Sequence, residues 1–416
     1  MRHFLAGFIM AAGFLFAGFS QPVLAQESER VLRDLEIRIP SLPHYSFGRG
    51  LGLTTPDSTY QVNIRFRMQN RATFQTFSDR DDSVEAVVRR LRLRFDGFVG
   101  DPRFLYAIQL SFSPGDVGAI QPGENINIIR DAVFYYRPDA HWSFGFGQTK
   151  LPGNRQRVNS SGALQLTDRS VNNAAFTIDR DYGVFANYGR EDQNRFSYNL
   201  RTAISTGDGR NYTRNPDTDL AYTARLELMP LGAFLKNGTM FEGDLAREQT
   251  PKLLLGGTVH YNMGAKRAQG QLGSDTSAKR DLRVIHLDAM LKYQGWALMA
   301  AWMSRQTDDP VIALPDGDTG AVRETAYLVG TGYDLQLSYL FPSDYELIAR
   351  YSSHNPEKEV RPFFRPREQF SAGITRYVWE HALKLQLELT HDRFPRTDFA
   401  DAREGTYVRF QIEIGI

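Results

Sequence analysis

Cysteine is absent from the 416 residues, which excludes a disulfide framework, Cys-ligated zinc, iron–sulfur clusters and thiol catalysis. Net charge is nearly absent as well, since 49 Lys plus Arg face 48 Asp plus Glu. A nucleic-acid-binding surface usually makes a domain strongly basic, so this balance argues against one. Beyond the N-terminal end no apolar run approaches the roughly 18–20 residues of a membrane helix, and the best, Trp296 to Met303, is far too short. The eight histidines fall at no short metal-binding spacing, and neither a Gly-x-Ser-x-Gly elbow nor a phosphate-binding glycine loop occurs. No enzyme, metal site or cofactor is therefore expected. What is present is an excess of rings: aromatics reach 12% in a chain only 42% hydrophobic.

Residues 1–25 read as a secretory signal peptide. Met1-Arg2-His3 gives a basic start, Phe4 to Phe19 is apolar, and Gln21-Pro22-Val23-Leu24-Ala25 ends on a small residue suited to signal peptidase, so the mature chain is expected to begin at Gln26. A mature chain without a membrane helix can still live in a bilayer as a closed barrel.

From Tyr60 onward the dominant period is two. Tyr60 to Met68 alternates apolar and polar residues without a break, so the two classes face opposite sides of a strand. The pattern recurs in Arg90 to Val99, Arg103 to Phe112, Phe196 to Ile204, Leu220 to Leu228, Leu253 to Tyr261, Ile285 to Tyr293 and Tyr327 to Tyr339. It returns in Leu347 to Tyr351, Phe370 to Ile374, Leu383 to Leu389 and Val408 to Ile416. Less regular strands at Ile126 to Arg137, His141 to Thr149, Asp181 to Tyr188 and Gly295 to Ser304 bring the total to 16.

The connections alternate between tight and long. Gly100 to Pro102, Pro138 to Ala140, Gln294-Gly295, Pro342 to Asp344 and Trp379-Glu380 are tight, whereas Asn70 to Ala86, Ser113 to Asn125, Lys150 to Arg180, Asn262 to Arg280 and Gln306 to Glu324 are long. Short turns at one rim and long loops at the other are the organisation of a bacterial outer-membrane barrel. Pro230 to Pro251 breaks the rule and reads as an elaborated periplasmic turn. A soluble β-sandwich also alternates. Here, however, nearly every strand has an apolar face with no second layer to cover it, and Phe98, Tyr135, Tyr136, Trp142, Phe144, Trp296, Phe341 and Trp379 gather near one rim as an interfacial girdle would. The expected fold is an all-β transmembrane antiparallel β-barrel, with a periplasmic lead-in at residues 26–57 and the barrel pore at 58–416.

Phe47-Gly-Arg-Gly-Leu-Gly52 leading into Tyr60 to Arg71, Asp131 to Arg137, Phe146 to Gly153, Leu166-Thr-Asp-Arg169, Asp179 to Tyr188, Ala224-Arg-Leu226, Glu346 to Tyr351 and Val408 to Gln411 together make a chain that resembles the phosphate-selective porin O and P family. The resemblance implies a 16-stranded trimeric channel of a Gram-negative outer membrane, embedded in its lipids, favouring anions through Arg and Lys in the lumen. Two departures stand out: the last residue is Ile416 where such barrels usually end in an aromatic, and the loop residues that would decide phosphate specificity do not align.

If Tyr60, Val62, Ile64, Phe66 and Met68 face lipid, then Arg65 and Arg67 point into the lumen, as do Arg90, Arg92 and Arg94 by the same parity. Arg suits anion passage because it stays charged, is weakly hydrated and offers a planar fork of donors. The 31-residue connection Lys150 to Arg180 is the candidate for a loop folded into the channel. It carries Lys150, Arg155, Arg157, Arg169 and Arg180 against Asp168 and Asp179, a positive excess that a constriction would focus. Asp96, Glu227, Asp288, Glu346 and Glu388 are expected to pair across strands with Arg225, Lys292, Arg350 and Lys384. The function expected is passive diffusion of small hydrophilic solutes with preference for inorganic anions, phosphate among them. The alternatives are a barrel hydrolase working from the lipid face and a plugged structural or adhesive barrel.

Overall fold

The computed structural model of the protein describes residues 44–46, 50–117, 128–211, 218–315 and 322–416. The strands are, in chain order, β1 (His44–Ser46), β2 (Gly50–Thr54), β3 (Tyr60–Phe77), β4 (Arg80–Val99), β5 (Asp101–Ser111), β6 (Ile129–Tyr136), β7 (Trp142–Lys150), β8 (Arg180–Arg190), β9 (Ser197–Ser205) and β10 (Ala221–Met229). They continue as β11 (Lys252–Arg267), β12 (Asp275–Tyr293), β13 (Trp296–Gln306), β14 (Val311–Pro315), β15 (Val322–Ala326), β16 (Gly330–Leu340), β17 (Tyr345–Pro356), β18 (Arg367–Trp379), β19 (Leu383–Phe394) and β20 (Arg403–Gly415).

Sixteen of them form the ring: β3 to β13 and β16 to β20 each pair antiparallel with the next, and β20 returns to β3 from Gly405↔Phe77 to Gly415↔Arg67. β14 and β15 make a separate hairpin within a long loop. Closure leaves the sixteen-strand ring without an edge, the condition for spanning a bilayer with strands.

The alternation read from the sequence is the alternation of faces. On β11 to β13, Leu255, Val259, Ile285, Leu287 and Leu298 stand exposed on the outside, while His260, His286, Asp288 and Lys292 are buried within. Rings ornament the short-turn rim, with Phe104 stacked on Tyr136 at 5.1 Å, Trp142 edge-on to Tyr188 at 4.9 Å and Trp296 against Tyr339 at 4.7 Å. Two rings expected there face inward instead: Phe98 shares the parity of Asp96, and Tyr135 lines the interior. The Gln294-Gly295 turn joining β12 and β13 puts both residues at positive φ (46° and 88°), as a two-residue hairpin matching strand twist requires.

Three boundaries differ from expectation. The stretch Asn70 to Ala86 is not a loop: β3 and β4 run on to a tight turn at Ser78-Asp79, paired through Phe77↔Arg80. Above the lipid both faces of a strand are wet, so alternation fades there although the backbone ladder continues. The same holds for Asn262 to Arg280, where β11 and β12 approach to within seven residues, 268–274. In the lead-in, β1 and β2 form a hairpin whose β2 covers the first part of β3 (Leu51↔Ile64), in line with the end of β20, where Ile416 and Phe66 exchange backbone hydrogen bonds at 2.9 and 3.0 Å. The expected strand at Tyr327 begins only at Gly330, because Tyr327 and Val329 are buried in a cluster with Ala265, Leu282 and Ile312 and Leu328 in one with Phe176 and Met303. The expected signal peptide at residues 1–25 falls outside the described residues.

The outward Leu287, 52% exposed, sits mid-strand on the apolar band. Leu287→Arg is expected to lower unfolding free energy in lipid vesicles by about 2–4 kcal/mol, measured by urea titration of tryptophan fluorescence. Unchanged stability would mean that no lipid touches this face.

Candidate functional site

Two segments fold into the lumen. The first is the β7–β8 connection, residues 151–179, with short helical turns at Arg155–Val158 and Val171–Phe176, the latter capped by Ser170 Oγ, which accepts from Asn173 N at 3.0 Å. Its anchors reach round the barrel wall. Asp168 meets Arg71 (3.2 Å), Arg89 (2.7 Å) and Arg90 (2.9 Å) on β3 and β4. Past β20, Lys384 Nζ on β19 donates to Gly162 O and Leu164 O at 3.0 and 2.6 Å, and farther round Ser170 and Asn172 donate to Asp334 on β16 at 2.9 and 3.1 Å. The second segment is the Pro230 to Pro251 turn, which rises from the short-turn rim. Glu242 accepts from Gln165 N at 3.0 Å and Gln336 Nε2 at 3.2 Å, Lys292 Nζ donates to Gly238 O and Phe241 O at 2.7 and 2.8 Å, and Phe234 packs with Met229, Leu254, Met290 and Met299.

These two segments fill the side of the lumen lined by β10 to β19. The side lined by β3 to β9 stays open as three adjoining cavities. One of about 470 Å³ is lined by Arg65, Arg67, Arg92, Arg94, Gln109, Ser160, His381 and Glu413, near the short-turn rim at Trp379 and Ile416. A narrower one of about 230 Å³ is lined by Arg92, Arg94, Arg130, Lys150, Arg157, Arg169, Arg180 and Asp131. A third of about 520 Å³ is bounded by Arg94, Tyr135, Arg137, Lys150, Phe185, Glu191 and Arg201. Arg94 borders all three, so the cavities adjoin one another around it.

The structure thus separates the nine residues singled out by sequence. Arg65, Arg67, Arg92, Arg94, Lys150, Arg157 and Arg169 line the passage. Arg90 and Arg155 do not. Arg90 is buried between Gln69 Oε1 (2.7 Å) and Asp168, and Arg155 is buried among Glu227, Asp288 (3.8 Å) and Thr239 O (2.9 Å) on the filled side. Both are anchors, because a guanidinium sealed from water is tolerable only when carboxylates and carbonyls surround it. Arg180, counted among the cations of the inward loop, also lines the passage, and Arg130, Arg137 and Arg201 join the lining without having been singled out. Parity alone would have found Arg201 on β9, but β-bulges at Gln109/Leu110 and Gln69/Asn70 scramble parity around Arg130 and Arg89.

Most lining cations have an acid within reach. Asp116 binds Arg92 at 2.6 Å and Arg130 at 2.9 Å, Asp131 binds Arg180 at 2.9 Å, Asp179 binds Arg157, and Asp96 binds Arg94 at 3.0 Å. Arg169 and Lys150 differ. Arg169 donates to Gln156 O and Asn159 O at 2.6 and 3.1 Å, and Lys150 Nζ to Val158 O and Asn159 O at 3.1 and 3.0 Å, and among the described residues neither has a carboxylate partner. Around the narrow cavity seven cations therefore meet four acids. Of the expected pairs across the filled side, Arg225 is bidentate to Asp288 (both 2.7 Å) and 2.8 Å from Glu227, and Arg350 lies 3.9 Å from Glu388, whereas Lys292 donates to backbone carbonyls and Lys384 pairs with Glu413 at 3.3 Å instead. They anchor the inward loop as well as neutralising one another: Arg225 also donates to Gly153 O at 3.0 Å.

The family model of the phosphate-selective porins O and P matches residues 62–386. No curated protein sequence matches. Among solved structures, the outer-membrane channel DcaP of Acinetobacter baumannii superposes with a TM-score of 0.54 at 13% identity, covering 88% of this chain and 99% of that one. An anion-selective porin from Comamonas acidovorans gives 0.52 at 10% identity over 85% and 99%. Pseudomonas putida OprB gives 0.52 at 8% over 85% and 94%.

Burial opposes the charge on Asp168, but the guanidiniums of Arg90, Arg89 and Arg71 outweigh it and hold its carboxyl well below the usual carboxylate range. A depressed carboxyl stays charged through the ordinary Asp range; its contribution is full above the ordinary Asp value and is lost as pH falls from there through the depressed one. Single-channel conductance is accordingly expected to be the same at pH 7 and pH 4.5. Asp168→Asn removes the anchor charge from three arginines, about 3–5 kcal/mol of anchoring, and is expected to raise conductance and open-channel noise at both pH values. A quiet channel of unchanged conductance would show that Asp168 does not hold the loop.

Proposed function

The chain belongs to the phosphate-selective porin O and P family, and from that premise we propose that this outer-membrane channel passes small hydrophilic solutes with a preference for anions, inorganic phosphate among them. The observation that carries the reading is the imbalance at the narrow cavity, where Arg169 and Lys150 have their donors on backbone carbonyls and leave their charge to the passage. An anion crossing from the cavity at Arg130 and Arg180 meets Arg92 and Arg94 next, then Arg65 and Arg67. Successive donors let it exchange contacts stepwise, so binding does not become trapping. The low-dielectric walls strengthen the local field.

The family and the fold point to a channel and not to an enzyme. We also assign residues 1–25 to a cleaved signal peptide, residues 26–57 to a periplasmic lead-in and residues 58–416 to the barrel pore, which assembles as a homotrimer in outer-membrane lipid.

The test is the reversal potential of the purified protein in a planar bilayer across a potassium chloride gradient, repeated with phosphate added. The wild-type protein is expected to be anion-selective and to lose current on addition of phosphate. Replacing Arg65, Arg67, Arg92 and Arg94 together with Gln is expected to reduce the anion-to-cation permeability ratio at least twofold, because Asp96 and Asp116 are then left facing the passage. Arg90→Gln, off the passage, is expected to leave the ratio unchanged. A fourfold variant with the wild-type reversal potential would remove the proposed role of this wall.

A further inference from the structure

The narrow cavity and the wider one beyond it share six lining residues: Arg94, Tyr135, Thr149, Lys150, Val158 and Met240. This ring holds two cations and no carboxylate, and its remaining members are out of character for a basic passage. Met240 is 39% exposed, an apolar side chain turned into water in the most charged part of the lumen.

Its position is not loose. Arg155 donates to Thr239 O at 2.9 Å, and Lys292 donates to Gly238 O and Phe241 O at 2.7 and 2.8 Å. The backbone on both sides of Met240 is thus pinned by buried cations from the inward loop and from β12. Across the same ring, Lys150 Nζ is tied to Val158 O at 3.1 Å, which sets a cation and an isopropyl group side by side. The ring thus brings an apolar set (Met240 and Val158, with the Tyr135 ring) together with a cationic pair (Arg94 and Lys150) around one opening.

We propose that this ring is a specificity site for small organic anions that carry one acidic group on a short apolar or aromatic body. The acid group meets Arg94 and Lys150 while the body displaces water from Met240, Val158 and Tyr135. Thioether and aromatic surfaces adapt to such bodies at little steric cost, and burial of apolar area adds affinity that a bare inorganic anion cannot gain. The inference rests on the anion-channel reading above and refines it to a solute class.

Benzoate is a suitable probe, with acetate as the same acid group on a minimal body. Added to the wild-type channel in a planar bilayer in potassium chloride, benzoate is expected to reduce current at a concentration at least fivefold lower than acetate. Met240→Gln is expected to erase most of that difference while leaving the chloride reversal potential unchanged, and Met240→Leu, which keeps the apolar surface, is expected to retain it. Equal potency of benzoate and acetate on the wild-type channel would overturn the inference, as would a benzoate advantage that survives Met240→Gln. A cation-selective reversal potential in plain potassium chloride would instead sink the anion-channel reading itself, so the two failures are distinguishable.

Discussion

A peptide group in hydrocarbon has no water to bond to, and the rest of this structure follows from that. The sheet must close, so β20 meets β3 along eleven residue pairs from Gly405 to Gly415. Closure in turn forces alternation: one side of each strand meets lipid and the other meets whatever the barrel contains. Sixteen strands enclose more space than side chains can fill. The chain fills the surplus on one side with its own backbone, and what it leaves open is the passage.

Filling a lumen with backbone brings a second constraint. Carbonyls and amides of residues 151–179 and 230–251 are taken from water and need partners. The partners are the charged lumen residues. Lys384 caps Gly162 and Leu164, Lys292 caps Gly238 and Phe241, and Arg305 donates to Ala175 O at 3.0 Å and Thr177 O at 3.2 Å. A charged lumen is therefore as much an anchoring surface as a conducting one, and which of the two an individual residue serves depends on whether the inward segments cover it.

That distinction explains what was legible in the sequence. The strands were, because lipid enforces a period of two. The inward loop was, from its length and its excess of Lys and Arg. Parity also placed Arg65, Arg67, Arg92 and Arg94 on the lumen side. Parity cannot report coverage, and so Arg90 and Arg155 looked equivalent to Arg92 and Arg157 although Asp168 and Glu227 hold them away from the passage. Nor can it survive a bulge: the extra residue near Arg89 brings two consecutive arginines, 89 and 90, onto one carboxylate. The upper halves of β3 and β4 escaped notice for the complementary reason, since beyond the bilayer nothing selects one face over the other.

Arg94 and Arg155 show how one residue type takes opposite roles. Each has carboxylates nearby, Asp96 for the first and Glu227 with Asp288 for the second. Arg94 keeps 38% of its side chain exposed, whereas Arg155 keeps 2%. In water-like surroundings a paired guanidinium exchanges partners cheaply, because the attraction to its acid is only on the order of 1–4 kcal/mol at contact. Sealed from water, removing one partner leaves the other charge buried and alone, at about 3–5 kcal/mol. On the proposed anion pathway, a solute anion competes with Asp96 for Arg94 but not with Glu227 for Arg155. The energy of the sealed pair goes instead into holding residue 239, and through it Met240, at the edge of the passage. Water-exposed and anchoring arginines are thus separated by access to solvent, and the fixed ones set the shape of the opening that the exposed ones line.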